Sequence, residues 1–161
     1  EKDSKWLWDC LSAQNKNINI GIPFPKSERV HIDSWMEESI CTRSDIVLFV
    51  INDLHNNQAI GFCQFLRIDW TSRNATIQIF HTEESRQHGM VLVGAVRLLC
   101  QFGFSELDLH RINFHVYLDQ ESDIHTIENC GFKREGILRE AAFVDGEWID
   151  VLVMGKLKSD E

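Results

Sequence analysis

Between Ile46 and Phe80 the apolar residues fall in short β-branched and aromatic bursts separated by polar turns, a pattern that no all-helical fold can accommodate. Ile46-Val47-Leu48-Phe49-Val50-Ile51 predicts a first strand. Asn52 to Asn57 is turn-rich, and the stretch from Ala59 to Ile68 completes a hairpin. After a polar turn at Trp70 to Asn74, Ala75-Thr76-Ile77-Gln78-Ile79-Phe80 predicts a third strand, so the three favour an antiparallel meander. The period then lengthens. Gly89 to Gln101 is apolar on nearly every side and predicts a central helix pressed against the sheet. Arg111 to Tyr117 alternates like a strand, and Glu121 to Asn129 predicts a helix that Gly131 would end. Phe132 to Phe143 and Trp148 to Leu157 read as two strands joined by Val144-Asp145-Gly146-Glu147, whose Asp-Gly is a hairpin signal. Ahead of the sheet, Asp3 to Asn15 and Ser27 to Ser39 carry helical spacing on either side of Ile22-Pro23-Phe24-Pro25. The order is ααβββαβαββ, an α/β fold with a mixed sheet, and 161 residues without a linker or repeat predict one domain.

Composition narrows the function. Lys and Arg number 16 against 25 Asp and Glu, a formal charge of −9, which disfavours nucleic acid and mildly favours a cationic ligand. The five cysteines, Cys10, Cys41, Cys63, Cys100 and Cys130, are an odd number without metal-ligand spacing and read as free thiols in a reducing compartment. No stretch approaches the roughly 20 apolar residues of a membrane span, and Glu1-Lys2-Asp3-Ser4 lacks a signal pattern, so the expected setting is cytoplasmic, away from membranes.

One segment carries a specific chemistry. Arg86-Gln87-His88-Gly89-Met90-Val91 lies between the third strand and the central helix, where the first backbone N–H groups of a helix have no partner in it. Those amides and the helix dipole suit a phosphate or pyrophosphate, with Arg86 and His88 adding local positive charge; the competing reading is a plain helix start containing a glycine.

This segment resembles the Q/R-x-x-G-x-G/A acyl-coenzyme A loop of the GNAT superfamily of N-acetyltransferases. Leu109-His110-Arg111-Ile112, Asn129-Cys130-Gly131-Phe132, Glu135-Gly136-Ile137-Leu138-Arg139-Glu140-Ala141 and Asp145-Gly146-Glu147-Trp148-Ile149-Asp150 together resemble its RimJ/RimL-like branch. That branch acetylates ribosomal-protein N-termini and has relatives acting on polyamines, amino sugars and antibiotics. The resemblance implies acetyl-coenzyme A as co-substrate, bound by the Arg86–Val91 loop. It also implies a third strand, around Ile77, Ile79 and Phe80, that bulges and splays from its parallel neighbour. Exposed amides in that gap would receive the pantetheine as an added strand, and a backbone N–H near Ile79 or Phe80 would hold the oxyanion. Gln120, at the position of a family asparagine, would offer an amide to the pantetheine arm, and Asp123 stands where the branch has a small residue. Three departures are visible: Val91 replaces a glycine or alanine, Ile127 occupies the position of a tyrosine acid, and the one tyrosine, Tyr117, lies on the preceding strand. The chain starts where the family has just finished its first strand, so either that strand is lost or residues upstream are omitted.

The chemistry sets its own demands. A primary amine with pKa about 10.4 costs about 4 to 5 kcal/mol to deprotonate at pH 7, whereas a thiol near 8.5 leaves as thiolate for about 2 kcal/mol. A base therefore matters more than the missing acid. Glu140 on the substrate-side strand and His81 at the end of the third strand are the candidates, each with a competing surface reading: an ion pair with Arg139 or Arg134 for Glu140, a solvated turn for His81. Asp123 and Glu83 are weaker candidates that would equally serve as helix caps. Of the tryptophans Trp6, Trp8, Trp35, Trp70 and Trp148, one or two would line an acceptor site and the rest would be core. The leading expectation is acetyl transfer to a small-molecule or peptide amine. The alternative is a degenerate acyl-coenzyme A-binding or protein-interaction module, and a homodimer through an exposed strand edge is a further reading.

Overall fold

The computed structural model describes residues 44–53, 55–81 and 90–160. The two opening helices and Arg86 to Gly89 lie outside the described residues, as does any strand ahead of Glu1. Within them run β1 (Val47–Asn52), β2 (Ala59–Asp69), β3 (Asn74–His81), α1 (Met90–Ser105), β4 (Arg111–Tyr117), α2 (Glu121–Asn129), β5 (Lys133–Val144) and β6 (Glu147–Leu157), then a short 3₁₀ turn. The expected order from the first strand onward is observed.

The six strands form one mixed sheet in the order β1-β2-β3-β4-β6-β5. β1, β2 and β3 make the expected antiparallel meander. β3 and β4 are parallel, which requires a crossover, and α1 supplies it. β6 then inserts antiparallel between β4 and β5. The β5–β6 turn is the two-residue type foreseen: Asp145 (φ 51°) and Gly146 (φ 91°) both take the left-handed backbone that a type I′ turn needs.

One face of the sheet packs against the helices. Cys63 and Phe65 from β2, Ile77 and Ile79 from β3, Ile112, Phe114 and Val116 from β4, and Leu152 and Met154 from β6 form a core with Leu92, Val96, Leu99 and Phe104 of α1 and Ile124 and Ile127 of α2. Contrary to the all-round apolar reading, α1 buries one face only: Arg97, Leu98 and Gln101 are exposed, Leu98 to 68%. It also runs four residues beyond Gln101, because Phe102 and Phe104 continue its apolar stripe. Gly103 permits that continuation, since a Cβ there would stand 2.9 Å from Ile112 Cδ1 and 3.0 Å from the Phe65 ring.

Among the described residues no helix is long and apolar enough to cross a membrane.

Candidate functional site: a fork in the sheet

The parallel junction of β3 and β4 opens partway along. Asn74, Ala75, Thr76 and Ile77 pair with Arg111, Ile112, Asn113 and Phe114, and there the pairing stops. β3 continues to His81, still paired with β2 up to Gly61, and β4 continues to Tyr117, still paired with β6 up to Val151. Each strand therefore keeps its outer partner while the inner edges separate. Backbone groups beyond the fork that would have bridged the two strands face the gap instead, a ready edge for an extended ligand.

The splay is as expected, but the bulge is elsewhere. The β2–β3 register is unbroken from Gly61↔His81 to Leu66↔Thr76 and shifts only between Leu66 and Asp69, where Arg67 adopts φ 53°. The irregularity thus belongs to β2 at the closed end, not to β3 near Ile79. The gap opens because β3 and β4 follow different outer neighbours.

The closed end is fastened by side chains. Arg111 Nε donates to Asn113 Oδ1 (2.8 Å), and Asn113 Nδ2 donates to Asn74 Oδ1 (2.6 Å) and to the Ala75 carbonyl (3.2 Å), tying β4 to β3 across the junction. Arg111 also pairs with Glu135 of β5 over Gly155, where any Cβ would collide with both side-chain ends.

The sheet face away from the helices changes character towards the fork. Phe62 and Phe80 stack there with ring centroids 4.2 Å apart. One rung nearer the junction, Gln64 Nε2 donates to Gln78 Oε1 at 2.9 Å, with both residues almost fully buried, 2% and 3% exposed. His115 and Tyr117 of β4 share this face, because Phe114 and Val116 point into the helical core. Burial, then the charge of Arg67, holds the His115 imidazole pKa below its ordinary value; burial, then Asp119, raises that of the Tyr117 phenol.

The residues expected to hold the cofactor distribute around this fork unevenly. Ile77 belongs to the last paired rung, while Ile79 and Phe80 lie beyond it. The Ile77 and Ile79 side chains are core, and Phe80 is occupied by Phe62, so only their backbone can serve a ligand. Gln120 follows β4 at the open end: its N–H donates to the Tyr117 carbonyl (3.0 Å), and it caps α2 without a side-chain cap bond. Asp123 lies in the first turn of α2, where its charge complements the helix dipole. Met90 is the first described residue of α1 and Val91 follows, half-buried. Arg86, Gln87, His88 and Gly89 fall outside the described residues, and of His81 only the backbone is described.

Glu140 is set apart. It sits exposed in the bulge between Leu138 and Ala142 of β5, with φ 50°, and its N–H donates to Asp150 Oδ1 (2.8 Å). β6 separates β5 from β4, so at about 4.8 Å per strand the bulge is roughly 10 Å from the fork strand. The competing ion pair of Glu140 with Arg139 or Arg134 is not formed among the described residues; Arg134 Nε donates to Glu128 Oε1 at 2.6 Å instead. Trp70 and Trp148 are exposed, the latter packed at 5.0 Å on Phe143. Ile127 is fully buried core. Cys63, Cys100 and Cys130 are buried thiols outside any disulfide, and burial pushes the Cys63 thiol up to about 12, which disfavours its thiolate. Among the described residues no cluster of metal-ligating side chains occurs.

His115, Gln78 and Gln64 were not singled out from the sequence. The available signal was polar residues at period two within otherwise apolar strands, visible once the face of each strand is known.

A mixed sheet whose one parallel junction forks, with the crossover helix starting at the open end, is the architecture of an acyl-coenzyme A N-acyltransferase. The chain belongs to the GNAT acetyltransferase family: residues 9–133 match the Acetyltransferase (GNAT) domain. It is 34% identical over 111 residues to the spermidine N(1)-acetyltransferase of Vibrio cholerae, covering 69% of this chain and 63% of that relative, so it spans less than two-thirds of the relative's length. The structure of the V. cholerae spermidine N-acetyltransferase in complex with CoA and spermine superposes with a TM-score of 0.84 at 25% identity, covering 99% of this chain and 92% of that one. A mutant of spermidine N-acetyltransferase from the same organism gives a TM-score of 0.83 at 26% identity, covering 98% and 91%.

Proposed function

We propose that this chain, as a single domain over residues 1–161, transfers an acetyl group from acetyl-coenzyme A to a primary amine by direct attack in a ternary complex. The observation that carries this reading is the loss of β3–β4 pairing after Ile77 and Phe114, which leaves room for an extended thioester arm at the site its chemistry needs. Acetyl-coenzyme A supplies an activated acetyl thioester. The Arg86–Val91 segment and the start of α1 hold its diphosphate, and backbone amides near Ile79 and Phe80 polarise the carbonyl oxygen. Gln120 offers its amide to the pantetheine arm, with Asp123 beside it at the start of α2. Glu140 and His81 are the sequence-derived candidates for the base.

A cationic polyamine is the favoured acceptor. The net charge of −9 attracts it, and relatives named for spermidine acetylation, one solved with CoA and spermine, support the same class. A peptide N-terminus or an amino sugar would be handled by the same chemistry. The setting is cytoplasmic, without membrane or nucleic acid as partner. A homodimer would use edge strand β5 and the exposed Phe143 and Trp148, and light scattering reads that state directly.

The test has two stages. Calorimetric titration with acetyl-coenzyme A is expected to show one site, and thiol release is then followed with spermidine, spermine and other amines. Binding without release on any amine would instead support a non-catalytic module. Gly89→Trp should abolish coenzyme binding, and retained affinity would remove the loop assignment.

A further inference from the structure

The helix side of the fork is closed to an acceptor, because Ile79, Phe114 and Val116 fill it with side chains no more than 1% exposed. The other face is also covered at Gln78 and Tyr117, but it alone presents polar side chains at the first open rung, Gln78 and His115, and His115 there is only half-buried. On that face the row along β4 is Arg111, Asn113, His115, Tyr117. The first two are committed to Glu135, Asn74 and the Ala75 carbonyl at the closed end. His115 is the first β4 residue past the last paired rung, Ile77↔Phe114, so its half-buried ring stands where the strands part. Among the described residues that ring makes no hydrogen bond. Across the gap Gln78 occupies the matching rung, its carbonyl oxygen held by Gln64 at 2.9 Å.

We propose that His115 accepts the proton of the attacking amine, a role that deepens the acetyl-transfer reading and rests on it. The neutral amine nitrogen gives its lone pair to the thioester carbonyl carbon as the carbonyl π pair moves onto oxygen. The N–H proton passes to a ring nitrogen of His115, directly or through one water. The oxyanion then re-forms the carbonyl, the C–S bond breaks, and the departing thiolate takes the proton back from the imidazolium, leaving amide, thiol and neutral histidine. This return also makes a separate tyrosine acid at position 127 unnecessary.

The local charges suit the role. His115 is held neutral at pH 7 by burial and by Arg67 of β2. Among the described residues, the other titratable groups that β4 puts on this face are Tyr117 and Arg111, the latter paired with Glu135 of β5. β3 and β6 contribute Thr76, Gln78, Val151 and Val153, none of which titrates in this range. Glu140, by contrast, stands two strands away on an exposed bulge.

The deciding experiment measures kcat, KM and coenzyme A affinity of the whole chain and of His115→Asn and His115→Gln across about pH 5.5 to 10, with spermidine as acceptor. General-base assistance is worth roughly 10²- to 10⁴-fold. Both variants should therefore lose about 100-fold or more in kcat at pH 7 with coenzyme A affinity unchanged. Their loss should be largest where His115 is neutral and shrink as pH falls through its lowered pKa, so the extra steepening of the wild-type kcat/KM profile below the ordinary histidine value, added to the slope set by amine protonation, should vanish. A drop in kcat of less than threefold, an unaltered steepening, or a greater loss in Glu140→Gln than in either His115 variant would overturn the role of His115 while leaving acetyl transfer standing. Wild-type protein that binds acetyl-coenzyme A and releases no thiol with any amine would overturn both. Should one variant lose coenzyme affinity or its folded signature, the other and the wild-type pH profile still decide.

Discussion

The two ends of the β3–β4 junction are built from the same two strands and differ in everything that makes them useful. At the closed end each rung is paired and the side chains of Asn74, Asn113 and Arg111 are spent on one another. At the open end the strands keep their outer partners, Gly61 to Gln64 on one side and Val151 to Val153 on the other, and the inner edges are left for a ligand. A sheet this size can give up a few rungs because the remainder is anchored by a core that α1 and α2 complete. Stability and function are thus divided along one strand: Phe114 holds, and His115, its neighbour in sequence on the opposite face, is positioned to act.

The largest effect should come from breaking the closed end. Phe114 is fully buried and meets the Phe132 ring edge-on at 6.1 Å. Phe114→Ala should cost about 3 to 5 kcal/mol in urea unfolding, as for other buried aromatic truncations. His115→Asn, one residue along, should stay within about 1 kcal/mol of wild type because it opens no core cavity. Equal losses at both positions would erase the division of labour.

Much of this was readable in the sequence, for identifiable reasons. The strands of the meander, the exact span Arg111–Tyr117 and the Asp145-Gly146 turn each have a local cause, in β-branched runs, alternation, or a backbone only Asp and Gly accept readily. The splay was expected only through resemblance, since nothing in Gln78-Ile79-Phe80 announces that its neighbour has departed. The β2 bulge at Arg67 was missed because it is set by register between strands, which a linear pattern does not carry. His115 was missed for the same reason: its importance lies in being the first rung beyond Phe114, and rungs exist only after pairing. Glu140 was chosen by its place on a wall-forming strand, before the positions of β6 and β5 in the sheet order put it two strands from the gap.

A smaller effect sharpens the comparison at the fork itself. Gln64→Leu removes the donor to Gln78 Oε1 inside a buried face and should cost about 1 to 3 kcal/mol, and its combination with Gln78→Leu should cost less than the sum of the two single changes. A double-mutant cycle by urea denaturation reads this coupling. Additive losses would mean that the pair contributes nothing as a pair. Gly146→Ala, at φ 91° in the hairpin far from the fork, should cost about 1 kcal/mol and leave coenzyme affinity alone.

pH separates the ends more gently. Because His115 has a lowered pKa in the folded chain, the folded state binds fewer protons than the unfolded state through this group. Its contribution is fully present above the ordinary value of 6.5 and is lost as pH falls through the lower folded value. His115→Asn should flatten the stability curve just below pH 6.5 and nowhere else. Asp108 titrates lower still. Hydrogen bonds from Lys158 and Arg73 hold its carboxyl below the ordinary 3.8, so its contribution is present above that value and disappears as pH falls through the lower folded one. Both partners and Asp108 itself are largely exposed, and salt should screen the attraction. Asp108→Asn should therefore be indistinguishable from wild type at neutral pH and physiological salt, and differ only in the steepness of the acid limb at low salt. A clear loss at pH 7 would show that this corner, where the turn before β3 meets the turn before β4, fastens the closed end as firmly as the Asn74–Asn113 bond does.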